Sequence, residues 1–258
     1  MLKQITLALA AVLSVSLATA KESSPSPDPE LAGITARGRT LAEYDTAAWH
    51  STDAVRAMKP EKGSVGRYIA EKTGAKWVFA YGRFNDKHDR FLIVYEATQG
   101  VSLQNFTVKK YDPPLEDAGF YYRGAIAIDT ALKDFQGEKR PHNAAVLPAE
   151  SHQIYVYIVP AQTAEGVYPL GGDVRYLISP DGSRIIEKRQ LHQTILEFKD
   201  TGKPMGTADA WHTHTLSDVP EDTDVFHVLT RRPLVPEQVK TQNHLYEIQV
   251  DGTIKRLK

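Results

Sequence analysis

The spacing of apolar positions changes character along the chain, from helix-like and mixed in the first half to strand-like in the last two-fifths. Over residues 40–58, Leu41, Tyr44, Ala47, Ala48 and Val55 recur every three or four positions. Thr40 with Glu43 offers a cap, so the spacing predicts a helix that Pro60 stops. Residues 64–72 read as a short helix or a basic loop. Residues 76–99 read as a β-hairpin, because two aromatic and β-branched runs flank the polar residues 85–89. A strand over 104–109 should end at the Asp112-Pro113-Pro114 breaker. Tyr121, Ala125, Ile128 and Leu132 predict a second helix over 120–135, followed by a charged loop with Pro141.

From His152 onward the pattern is nearly all strand. Residues 154–159 form a continuous apolar run that suits a central strand. Residues 174–178 and 184–188 flank a Pro180-Asp181-Gly182 turn, with 195–198 as a possible neighbour. Residues 207–215 and 224–230 are two further strand candidates. A last hairpin over 245–257 turns on Asp251-Gly252. The expected class is α+β: a predominantly antiparallel sheet with two main helices in the N-terminal half.

The first residues modify this picture. Lys3 precedes an apolar run over 5–17, and Ala18-Thr19-Ala20 is a small-x-small cleavage pattern, so residues 1–20 read as a signal peptide cut after Ala20. The run is too short to span a bilayer core of about 30 Å, and no stable membrane anchor is expected. A proline-rich leader over 21–36 and a single α+β domain over 37–258 follow, with a soft division near 140–150. The reading is therefore an exported protein, periplasmic or extracellular.

Among the 258 residues there is no cysteine, which excludes thiol catalysis, a disulfide scaffold and a lipidated cysteine. The 31 basic and 32 acidic side chains are nearly balanced. Basic pairs such as Lys109-Lys110 and Arg231-Arg232 form no stripe, so nucleic acid is not an expected partner.

Candidate chemistry gathers in 210–229. Strand alternation places His212 and His214 on one face, with Trp211 and Thr213 on the other. A returning strand over 224–230 would bring His227 alongside, and His192 is a fourth candidate. Such a set suits Zn or another divalent transition metal. Asp218, Glu221, Asp222 and Asp224 can complete the shell, with Asp218 and Asp224 as candidate catalytic bases. Against this, His227 shares its strand face with Val225 and Leu229, the pattern of a packed core histidine. His212-Thr213-His214 resembles the H-x-H half of the zinc pattern in the JAMM/MPN metalloprotease family. Thr215 stands where that family favours proline, and Ser217 and the following aspartates are off its spacing. The resemblance therefore implies a metal pair and carries no protease activity. Ser151, His152 and Ser217 supply residue types for a serine triad, but no G-x-S-x-G elbow is present.

Trp77 and Tyr81 on one strand face, and Tyr155 with Tyr157 on another, are candidates for lining a ligand groove; the alternative is an ordinary aromatic core. The leading expectation is a non-catalytic ligand-binding or structural module whose partner is a small molecule or protein. The alternative is a metal-dependent hydrolase using the histidine cluster.

Overall fold

The computed structural model describes residues 28–202, 206 and 210–258. The expected signal peptide lies outside the described residues, as do residues 21–27 of the leader. The leader ends earlier than the sequence suggests, because helix α1 (Pro29–Ala57) begins at Pro29 rather than Thr40. Asp28 caps it by accepting from the Glu30 backbone N–H at 3.0 Å, and Pro29 occupies the first turn, where a missing N–H costs nothing. Ile34, Gly38, Leu41, Tyr44, Ala48, Ser51 and Val55 then form one buried stripe along the helix.

The first antiparallel sheet has the order β1-β2-β3-β4, with β1 (Arg67–Thr73), β2 (Lys76–Phe84), β3 (Phe91–Gln99) and β4 (Phe106–Asp117). Two expectations fail here. Residues 67–73 form a strand, neither helix nor loop, because Ile69 and Ala70 each find an apolar layer on opposite faces of the sheet. The Pro113-Pro114 pair does not end β4, since an edge strand with an irregular register can spare two ladder donors.

Helix α2 (Phe120–Asp134) matches its expected bounds closely. The second sheet runs β5-β6-β8-β9, with β5 (His142–Pro148), β6 (Ile154–Pro160), β8 (Val174–Ile178) and β9 (Ile185–Gln190). Strand β6 is internal, as its apolar run implied. Strand β5 replaces the expected charged loop: it pairs with β6 over its whole length and buries Val146 between the helix and sheet layers. Strand β10 (Ile195–Lys199) pairs with β7 (Val167–Gly171), not with the β8–β9 hairpin.

Alternation along these strands separates two cores. Ala70, Phe79, Tyr81, Leu147 and Tyr157 face α1, whereas Ile69, Ala80, Val146, Val156 and Ile158 face α2. A third cluster joins Ile34 of α1 to Val225 and Val228 of α3 (Asp222–Thr230) and to Val239, Tyr246 and Ile248. The last two belong to β13 (Leu245–Ile248), which pairs with β12 (Glu237–Lys240) and β14 (Ile254–Arg256). α1 thus packs into both ends of the molecule. The α+β class with mostly antiparallel strands holds, although three helices are described and the strands are divided among several sheets.

The largest departure is α3 itself, expected as a strand. Its β-branched run favours a strand locally, but Asp222 and Asp224 occupy the first turn, and Glu221 and Asp224 form a reciprocal capping box. Capping and the apolar contacts of Val225 and Val228 override the strand propensity.

A buried histidine–aspartate centre

Strand β11 (Trp211–Thr213), α3 and β12 form a strand–helix–strand crossover, because β11 and β12 pair in parallel with His212 beside Val239. The expected strand over 207–215 is thus shortened to three residues, with 207–209 outside the described set. Alternation does what the sequence implied: His212 and His214 are buried, and Trp211 and Thr213 are exposed. The His214 N–H donates to the Lys240 carbonyl at 2.8 Å, which extends the ladder and fixes the second imidazole.

Asp224 enters from the third position of α3, facing the end of β11. The positive end of the helix favours its carboxylate, and the Glu221 backbone N–H donates to Oδ2 at 2.7 Å. His192 arrives from the other side, just past β9. There the Leu191 N–H donates to the Asp173 carbonyl at 3.0 Å and keeps the two residues together. This close approach requires Gly171, at φ 98°: a Cβ there would lie 2.1 Å from the Thr194 carbonyl oxygen.

One ligand atom from each of His192, His212, His214 and Asp224 falls within 4.8 Å of the others, and none of the four residues is more than 9% exposed. The Nε2 atom of His214 lies 3.0 Å from Nε2 of both His192 and His212. Asp224 Oδ1 is 2.9 Å from His192 Nε2 and 3.1 Å from His212 Nε2, and Oδ2 is 3.0 Å from His214 Nε2. Tetrahedral bonds of about 2.0–2.1 Å to zinc would separate ligand atoms by about 3.3–3.4 Å, a few tenths of an ångström more than these five separations.

The outer nitrogens fix the tautomers. His192 Nδ1 lies 2.8 Å from Asp173 Oδ1, and His212 Nδ1 lies 2.8 Å from Glu237 Oε1. His214 Nδ1 is 3.1 Å from Ser217 Oγ, whose own proton goes to the Val219 carbonyl at 2.6 Å. Each Nδ1–H therefore donates outward, which leaves each Nε2 directed inward to meet a cation or take up a proton. Three lone pairs and a carboxylate converge on one point, an arrangement stable only around a cation or shared protons.

The pKa shifts follow from this convergence. Burial pulls His192 down, but Asp173 and Asp224 outweigh it and raise the imidazole well above its ordinary value. Burial likewise opposes protonation of His212, and Asp224 with Glu237 reverses the effect, raising it to about 9. Asp224 is pushed up by burial yet held well below the carboxylate range by the three imidazoles. Arg231 Nε lies 3.3 Å from Glu237 Oε2. With that guanidinium, a divalent ion would neutralise the carboxylates of Asp173, Asp224 and Glu237.

Other sequence candidates lie elsewhere. His227 is not among the four: on a helix it points toward Phe198, with ring centroids 4.7 Å apart, and its Nε2 is 3.7 Å from Glu237 Oε2. Burial lowers its pKa to about 4 and leaves it neutral. Asp218 accepts from Thr241 Oγ1 at 2.7 Å and Asn243 Nδ2 at 2.9 Å, which hold its carboxyl down at about 2 and tie the loop to the β12–β13 turn.

The proposed groove residues are core. Trp77 packs edge-on against Tyr44, Tyr81 is bonded through its hydroxyl to Ser51 at 2.7 Å, and Tyr157 donates to Asp222 at 2.8 Å. Tyr155 is half-buried beneath the Arg175 guanidinium, 5.2 Å from its ring centroid. Sequence reasoning missed Asp173 and Glu237. The Gly171-Gly172-Asp173 turn and the acid two residues before Val239 were the available signals. Comparison of the chain with protein-family models, curated proteins and solved structures finds no match.

Proposed function

We propose that this chain is an exported, non-catalytic binding module. In this reading His192, His212, His214 and Asp224 hold one divalent transition metal, with zinc the first choice. The observation that carries it is the inward convergence of three Nε2 lone pairs and one carboxylate, each imidazole oriented by an outer acceptor. Four protein donors complete a tetrahedral shell, the pattern of a closed structural site, whereas catalytic zinc keeps a position for water. The ion would clamp the end of β9, the end of β11 and the start of α3. The hydrolase alternative is weaker, because Asp218 is engaged elsewhere and Asp224 is itself a ligand. The N-terminal cleavage pattern supports export.

The test is elemental analysis of protein purified without a metal-affinity tag or chelator. About one equivalent of zinc or a similar metal is expected in the wild type and none in His212→Ala/His214→Ala. A well-folded wild type that carries no stoichiometric metal and takes up no Zn²⁺ on titration would sink the reading.

A further inference from the structure

A cleft of about 790 Å³ opens between the last turns of α1, the ends of β6 and β7, and the outer face of α3. That volume suits a small-molecule site, and its lining is mixed rather than apolar. Asp45 and Trp49 stand one helical turn apart on α1 and both face it. Trp49 is 66% exposed, and one face of its indole stacks on His50 with centroids 4.9 Å apart. Tyr168 and Phe226 bring further rings from β7 and α3.

The charges in this cleft are uneven. Both Asp45 and Glu165 line the cleft, and among the described residues neither side-chain carboxylate has an ion-pair or hydrogen-bond partner. The lining cation, Arg232, donates to the carbonyls of Thr230 at 3.3 Å and Arg231 at 2.8 Å. Asp45 is open to solvent at the cleft surface yet closely walled, and desolvation lifts its carboxyl to about 6. It remains largely ionised at neutral pH without a protein counter-charge.

We propose that this cleft binds an alkylammonium ligand, with Asp45 as its counter-ion and the indole of Trp49 as its aromatic face. An ammonium between a carboxylate and an aromatic ring gains both an ion pair and a cation–π contact, and a partly desolvated site strengthens each. Glu165 supplies a second acidic group, which favours a diamine over a monoamine. A neutral polyol of the same length gains neither electrostatic contact. None of the four metal ligands lines the cleft, so this inference stands apart from the metal reading, although α3 serves both sites.

The experiment is calorimetric titration of the full chain with 1,4-diaminobutane, alongside its neutral counterpart 1,4-butanediol. Metal content is measured on the same samples, so failure of one reading does not mask the other. Saturable binding of the diamine and no binding of the diol are expected. Asp45→Asn and Trp49→Ala should each weaken binding about tenfold or more. Both positions are solvent-accessible on a helix, and thermal melts confirm that the variants fold. Equal binding of the diol, unchanged affinity in Asp45→Asn, or no saturable diamine binding to folded wild type would each overturn the proposal.

Discussion

Asp222 and Asp224 stand two residues apart at the start of α3, and both are completely buried, yet the surrounding chain neutralises them by different means. Asp222 meets permanent donors: Arg37 at 2.9 Å, Arg175 at 2.6 Å and the Tyr157 hydroxyl at 2.8 Å. Its charge is answered within the protein by two guanidinium groups. Asp224 meets three imidazoles whose protons point outward, so its answer must come from a bound cation or from protons taken up by the rings. Burial alone therefore does not mark a metal centre. What marks it is the kind of partner a buried carboxylate is given: donors with fixed charge or ligands with free lone pairs.

The sharpest way to break that contrast is to neutralise each acid in turn. Asp224→Asn should abolish stoichiometric metal and make the melting temperature insensitive to chelators. Asp222→Asn should keep the metal but lose about 3 kcal/mol of stability, because the buried Arg175 and the part-buried Arg37 lose their anion. Denaturant melts paired with elemental analysis separate the two outcomes. If Asp222→Asn also released the metal at unchanged stability, the division of labour would be wrong.

A second pair extends the comparison to the histidines that share Glu237. His212 is raised to about 9 and His227 is lowered to about 4. The unfolded chain would protonate His227 near 6.5, whereas the buried ring resists a proton until about pH 4. Its contribution is therefore complete above about 6.5 and is lost as pH falls toward 4, on the order of 3 kcal/mol in all. His227→Phe should flatten the stability-versus-pH curve in that window, as read from urea melts at a series of pH values. An unchanged slope would show that the ring is not the group responsible.

The smallest effect is expected one layer out. Asp173→Asn leaves all four ligands but weakens the acceptor that orients His192. Metal affinity should fall about 10–100-fold with the stoichiometry unchanged, measured by competition with a chromophoric chelator. A loss as complete as that of Asp224→Asn would make Asp173 a ligand rather than a support.

Much of this was legible in the sequence, for reasons that differ by element. The pairing of His212 with His214 follows from strand alternation, a local property, and so do the hairpins at Asp181 and Asp251. Helix α2 declared itself by period. The identity of the fourth ligand was not local: Asp218, Glu221, Asp222 and Asp224 are equivalent candidates until the segment is known to be helical. The β-branched Val225-Phe226-His227-Val228 run pointed to a strand, on which His227 rather than Asp224 would turn inward. His192 depended on a turn at Gly171 that meets residue 194 in space. The aromatic strands misled for a simpler reason, because alternating rings look alike whether they face a groove or α1.

The order of the ligands along the chain has a temporal consequence. His192, His212, His214 and Asp224 all precede Glu237 and β12, the strand that pairs with β11. During synthesis the cage therefore has no complete wall until β12 has followed the four ligands out. If the chain is exported unfolded, as the proposed function has it, the ion would be collected at the destination. Its capture would then be among the last events of maturation, and the metal supply of that compartment, rather than of the cytoplasm, would decide which ion is found inside.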